Sequence, residues 1–158
     1  MGKFLNIAAI VCFFLCVSCE QKNQIEIQSI SFDNENWIRF NTPKFNYKIE
    51  DTKSLYDIYF FCDINKKVEL VPDDIRFNAV LYTPDDTRRV NTYNFSFKNP
   101  GTKVKITEEN SISHYEYPLR KDFKITKKGD LSIKIENRTS KYNNLGFVKT
   151  GVKLVRKK

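Results

Sequence analysis

The segment Leu131-Ser132-Ile133-Lys134-Ile135-Glu136 alternates apolar and polar side chains at every step. A β-strand turns successive side chains to opposite faces of its sheet, so this period predicts a strand with one buried and one solvated face. The same alternation recurs in four other segments, at residues 45–49, 93–98, 104–106 and 123–125. The repeated two-residue period predicts an all-β protein.

Two further segments, residues 55–62 and 77–82, are more continuously apolar and predict central strands covered on both faces. Clusters of Pro, Gly, Asn and Asp separate the predicted strands and predict turns, at residues 41–43, 72–74, 83–86, 99–101, 128–130 and 143–144. This spacing indicates about eight or nine antiparallel strands. We therefore expect a single β-sandwich, with the jelly roll as one form of it.

The composition is that of one folded domain. The chain has 158 residues, of which 41% are hydrophobic and 14% aromatic, which suits half-buried strands. The formal net charge is +8, and most lysines are scattered along the predicted strands, as expected for solvated outward faces. We do not expect a nucleic-acid partner, because the N-terminus predicts export.

The first 18 residues predict a signal peptide. Lys3 supplies a positive start, residues 4–17 are almost wholly apolar, and the chain turns polar from Glu20 onward. An apolar run of this length is too short to span a bilayer comfortably and is typical of a signal sequence.

The segment Leu15-Cys16-Val17-Ser18-Cys19 resembles a bacterial lipobox, in which a small residue precedes the cysteine that becomes acylated. Ser18 is that small residue, although Cys16 stands where leucine is usual. We expect lipid on Cys19, a short tether over residues 19–24 and a β-sandwich domain over residues 25–158. The lipid would hold the domain at a membrane.

The cysteines exclude an internal disulfide in the processed chain. Cys12 and Cys16 lie within the signal peptide and Cys19 ends it, so Cys62 is the one cysteine left in the domain. It lies within the apolar run 55–62, and we expect it to pack as a small apolar residue.

We find no sequence pattern for catalysis, metal binding or a cofactor. His114 is the single histidine; it stands near Ser111 and Ser113 but in no ordered triad pattern. The acidic pairs Asp73-Asp74 and Asp85-Asp86 are better explained as turn residues. We therefore expect no catalytic residue, no metal and no enzymatic activity.

Three aromatic residues are candidates for an interaction surface: Trp37, Tyr115 and Tyr117. Trp37 stands among polar neighbours and could stack on a sugar ring, but core packing is the commoner role of a single tryptophan. Both interpretations of Trp37 stay open at this point.

The chain as a whole resembles GldH, the gliding-motility lipoprotein family of the Bacteroidetes. The resemblance begins at Trp37 and continues through Phe45-Asn46-Tyr47-Lys48-Ile49-Glu50-Asp51 and Leu55-Tyr56-Asp57-Ile58-Tyr59. The turn Thr83-Pro84-Asp85-Asp86 has Asp86 where glycine is common in the family. Gly129 opens a late strand, and Gly146 and Gly151 precede the closing strand. The chain departs from the family at residues 99–113, which lack its glycine-rich stretch, and at Asn137-Arg138-Thr139-Ser140.

The resemblance implies a non-enzymatic cell-envelope lipoprotein that supports gliding motility and the type IX secretion linked with it. Its partners would be the membrane, through Cys19, and envelope motility or secretion proteins. We expect it in the outer membrane facing the periplasm, since Glu20 alone is no strongly acidic surface-export tag. A carbohydrate-binding lipoprotein is the alternative, and an envelope hydrolase using His114 and a carboxylate is a third.

Overall fold

Nine antiparallel strands form two sheets in the computed structural model, which describes residues 23–157. A short 3₁₀ turn, Asp33–Glu35, is the one helical element in that range. The strands are β1 (Gln24–Ser31), β2 (Lys44–Ile49), β3 (Leu55–Asn65), β4 (Asp74–Tyr82), β5 (Arg88–Ser96), β6 (Lys105–Glu109), β7 (Ile112–Lys124), β8 (Gly129–Asn137) and β9 (Phe147–Lys157).

The strand pairing is nested. One sheet has the order β1-β9-β3-β7-β6 and the other the order β2-β8-β4-β5. Setting β6 aside, the first strand pairs with the last, the second with the next to last, and so on inward to β4 and β5. A long hairpin rolled into two sheets gives this pattern, which is that of a jelly roll. The predicted sandwich is confirmed, and β6 is an extra strand beside β7.

The core lies between the inner faces of the two sheets. The alternation in residues 45–49 puts Phe45, Tyr47 and Ile49 inward and buried, as predicted. Phe60 of one sheet meets Phe77 of the other with their ring centroids 4.3 Å apart. Aromatic rings that large fill the space between the sheets and contribute much of the buried apolar area.

The two continuously apolar segments do form interior strands, β3 and β4. The prediction that both faces are covered is confirmed for β3, in which every residue from 56 to 64 except Tyr59 is buried, and wrong for β4, whose outer face leaves Asn78 half-buried and Tyr82 exposed.

Among the described residues no third layer covers the outer face of β3, although Asp57, Phe61 and Asp63 on that face are buried. Long side chains of β9 cover them instead. Lys157 reaches Asp57 at 3.1 Å and Lys149 reaches Asp63 at 3.1 Å.

The open sides of the sandwich are closed by hydrogen bonds between edge strands. On one side the Gln28 side chain exchanges two bonds with the backbone of Asn46, at 2.5 and 3.1 Å. On the other side the Tyr93 hydroxyl donates to the Leu119 carbonyl at 2.8 Å. These bonds occupy backbone groups that would otherwise be available to a further strand.

Cys62 faces the core from β3 and is fully buried, which confirms its predicted packing role. Burial raises the pKa of its thiol well above the ordinary value, and the neighbouring Asp63 carboxylate adds to the effect. Within residues 23–157 no helix is long and apolar enough to cross a membrane. Cys19 and the predicted signal peptide lie outside the described residues, so their roles stay predictions.

Candidate functional site

The sandwich has two poles, defined by the direction of β1. The N-terminal pole is where β1 begins at Gln24, and it carries loops 50–54, 83–87 and 125–128. The opposite pole is where β1 ends at Ser31, and it carries loops 32–43, 66–73, 97–104 and 138–146. Since strands rise about 3.3 Å per residue, the eight residues of β1 separate the two poles by roughly 26 Å.

Trp37 belongs to the core and cannot form part of an interaction surface. Of its two open interpretations, core packing is therefore confirmed and the surface role is wrong. Its side chain has no exposed area, and its ring stacks on Phe32 with centroids 5.4 Å apart. The indole N–H donates to the Asn41 carbonyl at 2.8 Å, so its polar atom is satisfied inside the protein. The polar neighbours in the sequence misled the surface interpretation, because they serve the loop hydrogen bonds around the ring.

Tyr115 is also excluded from a surface role. It is 3% exposed, and its ring meets Phe97 edge-on with centroids 5.0 Å apart. Tyr117 is partly buried and stacks on Phe95 at 5.5 Å, with one edge lining a surface groove. Of the three residues singled out from the sequence, Tyr117 alone keeps access to solvent-facing space.

The groove at Tyr117 combines aromatic and basic groups. It encloses about 540 Å³ beside the part of β7 that β6 leaves unpaired, and its walls include Tyr59, Tyr93, Lys103 and Arg120. The Arg120 Nε is buried and has no hydrogen-bond partner in residues 23–157. Such a groove could accept an anionic group beside an aromatic face.

His114 does meet a carboxylate, as the hydrolase hypothesis requires. Its Nδ1 lies 2.6 Å from Asp63 Oδ1, and both residues line a cleft of about 580 Å³. Of the two candidate nucleophiles, Ser111 and Ser113, the second is misplaced, however. Ser113 is 1% exposed on the inner face of β7, and its hydroxyl donates to Glu108 at 3.3 Å. Neighbouring residues of a strand point to opposite faces, so Ser113 cannot reach the ring of His114.

The outer face around Asp63 is an ion-pair network. Asp63 lies between His114 and Lys149, Glu116 bonds Lys153, and Lys153 Nζ also sits 4.6 Å from the centre of the Tyr59 ring. Each buried acid therefore has a cation, which is the arrangement that burial of a carboxylate demands. The acids of this network are therefore neutralised within the fold. No group of three or more potential metal ligands occurs in the described part of the chain.

A pair of exposed aromatic residues at the opposite pole was missed by the sequence reasoning. Phe40 is 75% exposed and Tyr142 is 57% exposed, yet their ring centroids lie 6.0 Å apart. They are distant in sequence and come from two different loops, so no local pattern connects them. The one available signal was that both interrupt polar, turn-forming segments.

A comparison with known protein families identifies the family of the chain, which the geometry alone does not. The family model described as GldH lipoprotein matches residues 24–154, from the first residue of β1 into β9. No curated protein and no solved structure matches the chain significantly. The matched range takes in both sheets, and the resemblance found in the sequence agrees with it. The chain belongs to the GldH lipoprotein family.

Proposed function

We propose that this protein is a lipid-anchored component of the cell envelope that supports gliding motility and the type IX secretion linked with it through protein contacts. Membership of the GldH lipoprotein family over residues 24–154 is the observation that carries the proposal. The protein acts by binding and not by catalysis.

The anchor is Cys19, and the tether between lipid and domain is short. β1 begins at Gln24, so four residues separate it from the lipidated cysteine. At about 3.5 Å per extended residue they span at most roughly 14 Å. The N-terminal pole therefore stays near the bilayer and the opposite pole faces away from it. We place the anchor in the outer membrane with the domain in the periplasm.

Confinement to a membrane surface explains how a small domain with shallow grooves can bind its protein partners. Lipidation raises the effective concentration of the domain near other envelope proteins, so even a weak interface is occupied. The absence of a catalytic step fits the geometry around His114, where the buried hydroxyl of Ser113 faces away from the ring.

The test combines intact mass with function. Wild-type protein and Cys19→Ala are expressed in a gliding host that lacks its own family member. The intact mass of each protein from the membrane fraction is then measured by mass spectrometry, and the spreading of the colonies is scored. We expect a chain that begins at Cys19 with added acyl mass, lost in the variant, and spreading colonies with wild type alone. An unlipidated wild type, or full motility with Cys19→Ala, would overturn the proposal.

Binding of an acidic glycan is a second candidate function, favoured by the groove at Tyr117. Tyr59 and Tyr117 offer aromatic edges, and Lys103, Arg120 and Lys121 offer positive charge. Titration with alginate tests it, with Lys103→Ala compared with the exposed Lys44→Ala at a distance from the groove. Saturable binding weakened by the first change and not by the second supports the role, and the absence of binding excludes this glycan.

A further inference from the structure

The exposed pair Phe40 and Tyr142 stands on a rigid support. The backbone N–H of Arg39 donates to the Tyr142 carbonyl at 2.8 Å, and that of Trp37 donates to the Asn144 carbonyl at 3.0 Å. The two loops therefore pair like short antiparallel strands next to the buried indole. Rings held on such a support lose little conformational freedom when a partner covers them.

The pair belongs to an apolar patch that is exposed to solvent, and the hydration of apolar surface is unfavourable. Ile38, which follows the buried Trp37 in the chain, is 38% exposed, so the two paired loops together expose three apolar side chains, Ile38, Phe40 and Tyr142. Single exposed apolar residues are ordinary, but contiguous ones on a fixed framework mark interaction sites. The patch is smaller than a whole interface and fits the apolar centre of one.

The two chain segments that carry the patch are positively charged. Residues 38–44 and 138–142 contain four cations and no carboxylate, namely Arg39, Lys44, Arg138 and Lys141. Within the described chain none of the four forms an ion pair. Asp73 and Asp74 lie across a groove of about 400 Å³ from Lys141, but Asp73 is paired with Lys98 at 2.8 Å. The rim of the patch is therefore cationic on balance.

The location disfavours two other occupants. The patch lies at the opposite pole, away from the tether, so the anchoring bilayer does not reach it. The Phe40 and Tyr142 rings are inclined at 65°, and such an edge-to-face pair offers no flat platform for a sugar ring. A protein surface can receive two inclined rings in separate pockets.

We propose that Ile38, Phe40 and Tyr142 form the centre of a docking surface for an acidic patch on another envelope protein, with Arg39 and Lys141 facing its carboxylates. Aromatic and arginine side chains are the groups that dominate interface energetics. This inference rests on the proposed function, since the lipid on Cys19 is what turns this pole outward.

Site-specific photo-crosslinking in cells tests the docking surface in the full-length, lipidated protein. p-Benzoylphenylalanine replaces Phe40, and a matched variant carries it at Ile25, which is 56% exposed at the N-terminal pole. We expect an adduct from position 40 and none of the same mass from position 25. Tandem mass spectrometry of the adduct should find the crosslinked residue in a protein segment rich in Asp and Glu.

Charge reversal separates docking from chance proximity. Arg39→Glu with Lys141→Glu, in the position-40 background, should lower the adduct yield about tenfold or more, since reversing a charge turns an attractive interfacial pair into a repulsive one. Lys124→Glu with Lys127→Glu, exposed at the N-terminal pole, is the control and should leave the yield unchanged. Trp37 fluorescence verifies that each variant is folded.

Several outcomes would overturn the inference. They are a lack of adduct at position 40, an adduct with polysaccharide or lipid, an adduct with a non-acidic protein segment, or a yield indifferent to the charge reversal. The intact mass of the protein from the same cells reports lipidation and so distinguishes failure of the docking surface from failure of the proposed function. A lipidated, motility-supporting protein without the adduct refutes the docking surface alone, whereas an unlipidated chain refutes the proposed function.

Discussion

The ring of Phe61 occupies the space that a side chain at position 151 would need. A Cβ added to Gly151 would overlap the Phe61 ring on one side and the Gln28 carbonyl oxygen on the other. The two residues are partners across β3 and β9 on the outer face of the larger sheet. The missing side chain lets the ring lie against the β9 backbone, and Phe61 is buried on a face that no third layer covers within residues 23–157.

Replacing Gly151 with Ala should therefore destabilise the protein strongly. Overpacking against a ring and a backbone carbonyl should cost about 3 kcal/mol, near the upper end of typical overpacking costs. Gly101→Ala is the control. It has open space around it and a positive φ of 74°, so we expect a loss of about 1 kcal/mol from backbone strain alone. Urea unfolding of both variants measures the difference, and equal losses would show that the Phe61 contact does not matter.

A second prediction concerns Asn144, which ties the loops of the opposite pole to Trp37. Its side-chain N–H₂ donates to the Trp37 carbonyl at 2.9 Å, and its Oδ1 accepts from the Thr139 hydroxyl at 2.8 Å. Asn144→Ala removes the side-chain donor of the buried Trp37 carbonyl and one of the acceptors of the Thr139 hydroxyl, which keeps Asn137 Oδ1 at 2.7 Å. This should cost about 2 kcal/mol in unfolding free energy.

The single tryptophan reports on this loop cluster. Native Trp37 should emit at short wavelength and resist acrylamide quenching, because its side chain is fully buried. Asn144→Ala should shift the emission to longer wavelength and raise the quenching constant. Asn143→Ala is the matched control and should change neither, because the exposed Asn143 side chain accepts a single bond from Asn36 at 3.0 Å. A quenchable tryptophan in the wild type would contradict the buried position.

How far the sequence predicts this structure depends on how far apart in the sequence the interacting residues lie. Alternation acts locally, so Phe45, Tyr47 and Ile49 were placed correctly on an inner face, and the number of strands followed from the turns. The left-handed backbone at Asp86, with φ of 62°, also explains why glycine suits this position in the related sequences. The turn chemistry was therefore encoded within a few residues.

The candidate site depended on contacts between distant residues, which no local period encodes. His114 reaches Asp63 across 51 positions, and Phe40 meets Tyr142 through the pairing of two loops. For Trp37 the sequence left both a surface role and core packing open. Its polar neighbours indicated exposure, but Asn36 and Asn144 use their polar groups to hold the loop around the buried ring.

A third prediction uses the buried thiol of Cys62. Since burial raises its pKa, the native thiol should react with a disulfide reagent far more slowly than a free cysteine and become reactive when urea unfolds the protein. The raised pKa also sets the sign of an alkaline effect. The unfolded chain loses this proton near pH 9 and the native protein keeps it, so stability falls as the pH rises above about 9. Cys62→Ala should remove that part of the decline, and an unchanged pH profile would contradict it.

A fourth prediction concerns Asp57, which is 4% exposed on the outer face of β3. Burial opposes ionisation, but the backbone N–H of Asp122 at 2.8 Å and the Lys157 ammonium at 3.1 Å outweigh it and lower the pKa of the carboxyl. A lowered native pKa stabilises the protein above the unfolded value near 4, and the contribution is lost as the pH falls through the native pKa.

Asp57→Asn should accordingly destabilise the protein by about 1 to 3 kcal/mol at pH 7, since the amide loses the charge while Lys157 stays close. The difference from wild type should be smaller at pH 3 than at pH 7, because the unfolded wild-type chain takes up a proton at this position as the pH falls below about 4. Asp130→Asn is the matched control. Its partner Lys48 lies 3.4 Å away in solvent, so a change below about 0.5 kcal/mol is expected at either pH. Chemical denaturation at pH 7 and pH 3 measures how far the unfolding free energy of each variant differs from that of wild type. A pH-independent loss at position 57 would assign the effect to packing and not to charge.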